Sequence, residues 1–594
     1  MYKAFIILLL ISTLMVVGAP QEKKDPEFKP EDFSIIEKAQ DPAPELKAGL
    51  DTITTNDCKA LLTFLSADAL EGRQVATRGY KIATEFAAAL FAKVGAKPAG
   101  DLPRKKRGRF SAEPAKKKGE TPRSYFQDFP MKETLESDGR IVVTGKSGSV
   151  TETKTFAPNV DYKYYARDSH TLEAPVVFVG YGISEKQLKF DEYKGLNIKG
   201  KIVMMLSETP GKGDKNSPFQ KGDLKEKYYP KRRMRRSTNP KVKLAKQKGA
   251  VAVIIVENSP EENGDIANLA IDAEQVNDEQ PIYPHERRRL SLLEAGAHMP
   301  WETLPSIYIS RQMADQILEL SGGQTIQGIK DSINKNLKPM SKVLNGVTFK
   351  IKSTAKTQLV HSRNVLAYFE GSDPKLKDEL VVIGAHLDHL GKKGDYIFNG
   401  ADDNGSGSVA VLEVAEAIAA GKIKPKRSIL LALWTGEESG LLGSRYYVSN
   451  PFFPLEKTAA YINLDMVSRP WTEKSFKRAT RMWGMKIPEE MMKKVKIDNF
   501  ISISYAADAD QAFSALKENN PFVGLHLYMR KSKESFGGSD HAPFAMKKIP
   551  WIGFFASMHD DYHKPSDTIE KVNLDYMVKI TRLTYLAALQ LANL

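Results

Sequence analysis

The sequence predicts an α/β fold: a mostly parallel, doubly wound central sheet flanked by helices, with a small β-rich unit inserted ahead of it. Three observations carry this prediction. From about Gly346 the runs "ELVVIGAH", "SILLALWTG", "TAAYINLDM" and "IPWIGFFAS" are almost continuously apolar, the pattern of strands buried on both faces. Helical stretches such as "SGSVAVLEVAEAIAAG" lie between some of them, and strand–helix alternation builds parallel sheets. Between about 150 and 342 the texture differs: "APVVFVGYGI", "KGKIVMMLS", "GAVAVIIVEN" and "LPSIYIS" are short β-rich runs separated by long charged loops, which marks a separate unit.

Each segment has its own reason. Residues 1–19 hold one lysine, an apolar run from Ala4 to Val17 and then Gly18 and Ala19, the pattern of a signal peptide, so the chain is expected to be exported to the periplasm or secreted. Residues 20–50 are polar and proline-rich and read as a linker. Residues 51–145 open with two helical patterns, "DCKALLTFLSADAL" and "GYKIATEFAAALFAKVGAKPAG", and turn to strands at "SYFQDFPMKE" and "GRIVVTG". A basic insert occupies 103–123. The inserted unit spans 150–342, and the large sheet domain spans 346–594. No later apolar run is long enough to span a membrane.

Composition narrows the function classes. Lys and Arg total 87 against 73 Asp and Glu, a surplus of +14. Much of it sits in "PRKKRGRFSAEPAKKK" and "KEKYYPKRRMRRSTNPKVKLAKQKG", which lack a clear apolar period and read as solvated inserts. No recognisable nucleic-acid module accompanies them, so a nucleic-acid partner is not expected, whereas contact with an anionic cell envelope is consistent with the charge. The single cysteine, Cys58, excludes an internal disulfide and sits in a helical pattern as a packed thiol. No "GxSxG" elbow is present; Ser406 reads as part of a turn opening a helix.

The chemistry gathers after the buried runs. "VVIGA" is followed by His386 and Asp388, "NGADDNGSG" supplies Asp402 and Asp403, "ILLALWTG" ends at Glu437 and Glu438, "YINL" ends at Asp465, and "WIGFFASMHDDY" leads to His563. In a parallel sheet all of these meet at one edge. So many carboxylates brought together need compensating cations, and two imidazoles with several carboxylates suffice for two divalent ions sharing one bridging carboxylate. Of two adjacent glutamates, one can coordinate while the other stays free as a base.

These motifs, "GAHLDHLG", "GADDNGSGS", "WTGEESGLLGSRYY", "NLDMV", "GGSDHAPF" and "DYHKPSDT", occur in an order that resembles the co-catalytic zinc aminopeptidases, a family that also includes glutamate carboxypeptidases and the catalytically inactive transferrin receptor. The resemblance reaches back to "LEGRQVATRGYKIATEFAAALFAKVGAKPAG" and "SRNVLAYFEGSD", and the inserted unit resembles a protease-associated domain. It implies the zinc aminopeptidase fold and two divalent ions, with zinc favoured by ligand type. It further implies that Asp403 bridges the ions, that His386 and Asp465 complete one site, and that Glu438 and His563 complete the other. Asp403 takes the bridge over Asp402 because the family's bridging residue directly precedes the "NGSG" turn. Glu437 would be the general base and Tyr562 a donor to the developing oxyanion, with Asp388 and Asp540 supporting the ligands from behind; Asp388 is expected to orient His386.

His389 and His541, although inside motifs, read as structural hydrogen-bonding residues. His170, His285, His298, His361, His526 and His559 carry no assigned role. The implied function is hydrolysis of N-terminal residues from peptides. The alternatives are a carboxypeptidase or dipeptidase on the same core, with basic residues between Arg469 and Lys533 clamping a substrate carboxylate; a single-metal cyclising transferase; or a catalytically silent receptor-like binding protein.

Overall fold

The computed structural model describes residues 30–102, 123–136, 140–147, 149–156, 161–164, 169–229, 239–257, 287–293, 304–483, 487–532 and 538–594. The expected signal peptide, nearly all of the basic insert at 103–123, and the acidic stretch after Glu257 lie outside these residues.

The apolar runs form the centre of an 11-stranded sheet. Four strands lie side by side and parallel in the order Ser428–Trp434, Leu380–His386, Thr458–Leu464 and Trp551–Phe555. Ser428–Trp434 and Leu380–His386 are buried at every position, which is why they read as unbroken apolar runs. The strands that flank these four are antiparallel to them, Phe500–Ala506 against Trp551–Phe555 and Ala355–Phe369 against Ser428–Trp434, while His526–Ser532 runs parallel to Phe500–Ala506. The sheet is therefore mixed, with its parallel part confined mainly to the strands that carry the motifs. Two outer strands, Phe500–Ala506 and His526–Ser532, are not among the strands read from the sequence.

The helices Thr55–Leu65, Arg78–Lys93, Gly407–Ala420 and Leu574–Asn593 line the sheet and share its core. Thr54 caps the first, its hydroxyl accepting from Asp57 N at 3.1 Å, and Asn573 caps the last, accepting from Tyr576 N at 2.9 Å. Helix His541–Met546 closes against the strand Thr458–Leu464, where Tyr461 stacks on Phe544 at 4.0 Å. Cys58 is fully buried, as a packed thiol should be.

A second sheet of eight strands has its own core, centred on the buried parallel strands Ile202–Leu206 and Ala252–Val256. Successive strands of the chain belong to different sheets. Phe126–Glu136 pairs in the large sheet and Arg140–Ser147 in the small one; Lys342–Ser353 pairs in the small sheet and Ala355–Phe369 in the large one. The expected boundaries at 145, 150, 342 and 346 thus fall within or beside strands, because nothing in a β-rich run marks which sheet will receive it. Arg287–Leu292 returns to the large sheet and pairs with Phe126–Glu136.

The expected linker 20–50 is also more ordered than its composition suggests. Phe33–Ile35 pairs antiparallel with His526–Ser532, and Pro44–Leu50 forms a helix.

Candidate metal centre

Parallel register brings the strand ends together: His386 pairs with Trp434, three positions before Glu437, and Asn463 pairs with Gly384, placing Asp465 beside the same edge. Asp403 arrives from the turn Ala401–Ser406, which opens the buried helix Gly407–Ala420. That turn is gripped from several sides. The Asp567 carboxylate accepts from Asp402 N at 3.1 Å and Asp403 N at 3.0 Å. Asn404 donates to Leu464 O at 2.9 Å and accepts from Gly407 N and Met466 N, fastening the turn to the strand end that carries Asp465.

Asp403 lies at the centre of the cluster. Its Oδ1 is 3.4 Å from His386 Nε2, which is 3.5 Å from Asp465 Oδ1. Its Oδ2 is 3.2 Å from His563 Nε2, which is also 3.2 Å from Glu438 Oε2. One carboxylate thus faces two ligand groups with separate oxygens, the arrangement a bridging ligand needs. His386, Asp403 and Asp465 place one ligand atom each within 4.8 Å of one another, and so do His389, Asp403 and Glu438. Asp403 Oδ2 and His563 Nε2 are buried without a hydrogen-bond partner in the described structure. Donor atoms of this kind, two oxygens and a nitrogen around one point, fit a divalent cation of the zinc type.

Asp402 is turned elsewhere. Its Oδ1 accepts from Ser468 N at 2.8 Å and Ser468 Oγ at 2.6 Å, and its Oδ2 lies 3.1 Å from His559 Nε2. This buried pairing supports the turn from below and gives His559 a partner that sequence alone did not suggest.

The electrostatics are those of crowded acids. Burial pushes Glu437 well above the usual carboxylate range, and Glu438, Asp465 and Asp540 reinforce the shift against the pull of His386. Burial likewise raises Asp388 and Asp540 to about 7. Burial works against a charge on His563, yet Glu438 and Asp403 outweigh it and raise the imidazole to about 10. Protons on imidazole, or divalent cations, are the two ways to compensate such a cluster. Tyr562 stacks on His563 with ring centres 3.7 Å apart, and burial, with Asp403, Glu438, Asp465 and Glu437 nearby, holds its hydroxyl protonated far above its ordinary range.

The supporting residues act through backbone as well as side chain. His386 Nδ1 meets the Asp388 backbone carbonyl at 3.0 Å, while the Asp388 carboxylate accepts from Glu437 N at 3.2 Å. Asp388 therefore links His386 to the loop carrying both glutamates, with its carbonyl, and not its carboxylate, facing the imidazole. The Asp540 carboxylate accepts from Ser444 Oγ at 2.5 Å. His541 stacks on Trp551 at 4.3 Å, a packing role.

Arg73 escaped the sequence reading. Fully buried, it donates from Nε to Leu387 O at 2.9 Å, from Nη2 to Gly400 O at 2.9 Å, and from Nη1 to Asn399 O at 2.7 Å and to Leu65 O. One guanidinium thereby joins the His386 loop to the turn before Asp403. Nothing in the "LEGR" stretch names carbonyls more than 300 positions away.

The profile of peptidase family M28 matches residues 364–588, which contain every ligand candidate, and the PA domain profile matches residues 172–285. Residues 364–588 are thus similar to peptidase family M28, and the segment ahead of them to a PA domain. Over 209 residues the chain is 30% identical to leupeptin-inactivating enzyme 1 of Streptomyces exfoliatus, covering 35% of this chain and 38% of that protein. Over 333 residues it is 25% identical to a glutamate carboxypeptidase 2 homolog of Caenorhabditis briggsae, covering 50% of this chain and 38% of that one. Over 109 residues it is 40% identical to an aminopeptidase of Pseudomonas aeruginosa, covering 18% of each. The matched stretches span less than two fifths of these relatives. Among solved structures, an aminopeptidase from Aneurinibacillus sp. strain AM-1 aligns over 92% of this chain and 96% of that one, with a TM-score of 0.51 and 17% identity, a likeness of fold. Arg73 lies outside the matched M28 residues.

Proposed function

We propose that the protein is a metal-dependent aminopeptidase that removes N-terminal residues from peptides, with two divalent ions, zinc by ligand type, shared through Asp403. The observation that carries this reading is the division of Asp403: Oδ1 toward His386 and Asp465, Oδ2 toward Glu438 and His563. Ions held there would polarise a peptide carbonyl and acidify a water. Glu437, unused as a ligand in this scheme, takes the proton of the attacking water and passes it to the leaving amine. Tyr562 keeps its proton and donates to the carbonyl oxygen as charge develops there.

The surroundings favour an N-terminal over a C-terminal substrate end. A free ammonium finds carboxylates at this edge, whereas three of the basic residues considered for a carboxylate clamp are already paired with acids. Arg469 pairs with Asp561 at 3.1 Å, and Lys474 and Arg478 pair with Asp560 at 2.8 and 2.7 Å. The sequence relatives that include aminopeptidases support the same choice.

The test is a pair of peptides differing only in a free or acetylated N-terminus. Cleavage of the free peptide alone, abolished by a strong chelator and restored by zinc, is the expected result; equal cleavage of both overturns the reading.

Export and envelope contact belong to the same proposal, resting on the apolar run from Ala4 to Val17 and the basic inserts. N-terminal sequencing of the mature protein should begin just after Ala19, and cutting the inserts should weaken envelope association at low salt. Among the described residues no helix is long and apolar enough to cross a membrane.

A further inference from the structure

His389 stands inside the ligand cluster without belonging to the five-residue set, and the geometry settles which of two parts it can play. It is buried, and its Nδ1 lies 2.9 Å from Glu438 Oε1 and 3.8 Å from Asp403 Oδ2. His563 Nε2 lies 3.2 Å from both Asp403 Oδ2 and Glu438 Oε2. A tetrahedral shell with metal–ligand bonds of about 2.0–2.2 Å has ligand–ligand edges of roughly 3.3–3.6 Å. His563 sits close to that spacing on both sides. His389 is at hydrogen-bond distance on one side and beyond the edge length on the other, and it engages the other oxygen of Glu438.

The chemistry of the contact decides the rest. An ionised carboxylate only accepts hydrogen bonds, so Nδ1 must carry the proton it offers to Oε1, and a protonated ring nitrogen has no lone pair for an ion. The contact has hydrogen-bond geometry, whereas His563 Nε2 makes no hydrogen bond in the described structure; His389 Nε2 is unpartnered too, but it is Nδ1 that meets Glu438 and Asp403. The His389 ring is also fixed in place. Gly400, at φ +57°, backs it so closely that a Cβ there would come within 2.5 Å of His389 Cδ2, and His389 N donates to Arg73 O at 3.3 Å.

We infer that His389 is a positioning residue for the second ion: it holds Glu438 Oε1 and so leaves Oε2 as a single-oxygen ligand beside His563 and Asp403. This rests on the two-ion reading proposed above. It assigns His389 to Glu438 and leaves the ligand count at five.

The test compares the wild-type chain with His389→Leu and His389→Asn, titrating zinc against a chromophoric chelator and recording the absorption spectrum of the cobalt-loaded proteins. Wild type should bind two ions. His389→Leu should weaken the second ion by about 10–100-fold, the usual loss when a partner behind a ligand is removed. The first ion, held by His386, Asp403 and Asp465, should be unchanged. His389→Asn, whose amide can donate near the Nδ1 position, should recover most of the lost affinity and leave the cobalt spectrum unaltered. Unchanged second-ion affinity in His389→Leu, equal weakening of both ions, or equal failure of both variants with a cobalt spectrum showing a lost imidazole would overturn the inference. A wild-type chain that binds no ion overturns the two-ion reading as well, so the two failures are distinguishable.

Discussion

Glu437 and Glu438 are neighbours in sequence with opposite electrostatics. The crowding that drives Glu437 above the carboxylate range is answered at Glu438 by His563 and His389, which hold it well below that range despite its burial. The proposed division of labour between base and ligand places the two in these different surroundings. Replacing Glu437 with Gln should lower kcat by about 10²–10⁴-fold, the range for loss of a positioned general base, while zinc content measured on the purified variant stays at the wild-type level. A second acid, Glu413, is buried on the helix behind the site with Asp57 and Glu416 as like-charged neighbours, and burial raises it to about 8. Unfolded, it would release its proton near 4.5. Between those values the unfolded chain has lost the proton and the folded chain retains it, so this group's contribution to stability falls as pH rises. Glu413→Gln removes the effect. In thermal melts its advantage over wild type should grow from pH 5 to pH 8; a constant difference would show that Glu413 is charged in the folded protein.

At the scale of elements, the decisive piece is the turn Ala401–Ser406 and the contacts that stop it moving. Asp567 accepts two of its backbone N–H groups, and Arg73 fixes the residues just before it. Asp567→Ala would remove the oxygen that accepts both N–H groups. Because Asp403 serves both ligand groups, chelator competition should show both ions weakened by about 10–100-fold, where loss at a single site would contradict the scheme. Arg73→Lys retains charge but not the planar fork that reaches four carbonyls, and it should lower unfolding free energy by on the order of 2–4 kcal/mol in urea titration.

Elements also differ in how legible they were. The four central strands announced themselves because burial on both faces demands unbroken apolar runs, and the ligands followed directly from their ends. Phe500–Ala506 and His526–Ser532 went unseen: "FISISYA" alternates with serine and "HLYMRKS" turns basic, as the less covered outer part of the sheet permits. Three residues, Phe33–Ile35, inside a polar stretch gave no periodicity to read. Contacts such as His389 with Glu438, or Arg73 with Gly400, join distant positions and exist only once the fold has formed.

At the scale of the whole molecule, two sheets with separate cores are joined by strands that run from one into the other, and the inserted segment contributes a strand back to the large sheet. On that strand Arg288 pairs with Glu133 and donates to Val75 O at 2.7 Å, two residues from Arg73. The insertion thus touches the same short segment that steadies the ligand loops. Around this frame, the claim on which the rest depends is that one carboxylate serves two ions. The most direct measurement is the number of zinc ions bound per chain, by elemental analysis and calorimetric titration, for wild type and Asp403→Asn. Two ions in the wild type and severe weakening of both by that one substitution are expected. A single ion per chain, or an Asp403→Asn variant that still binds one ion with wild-type affinity, would contradict it.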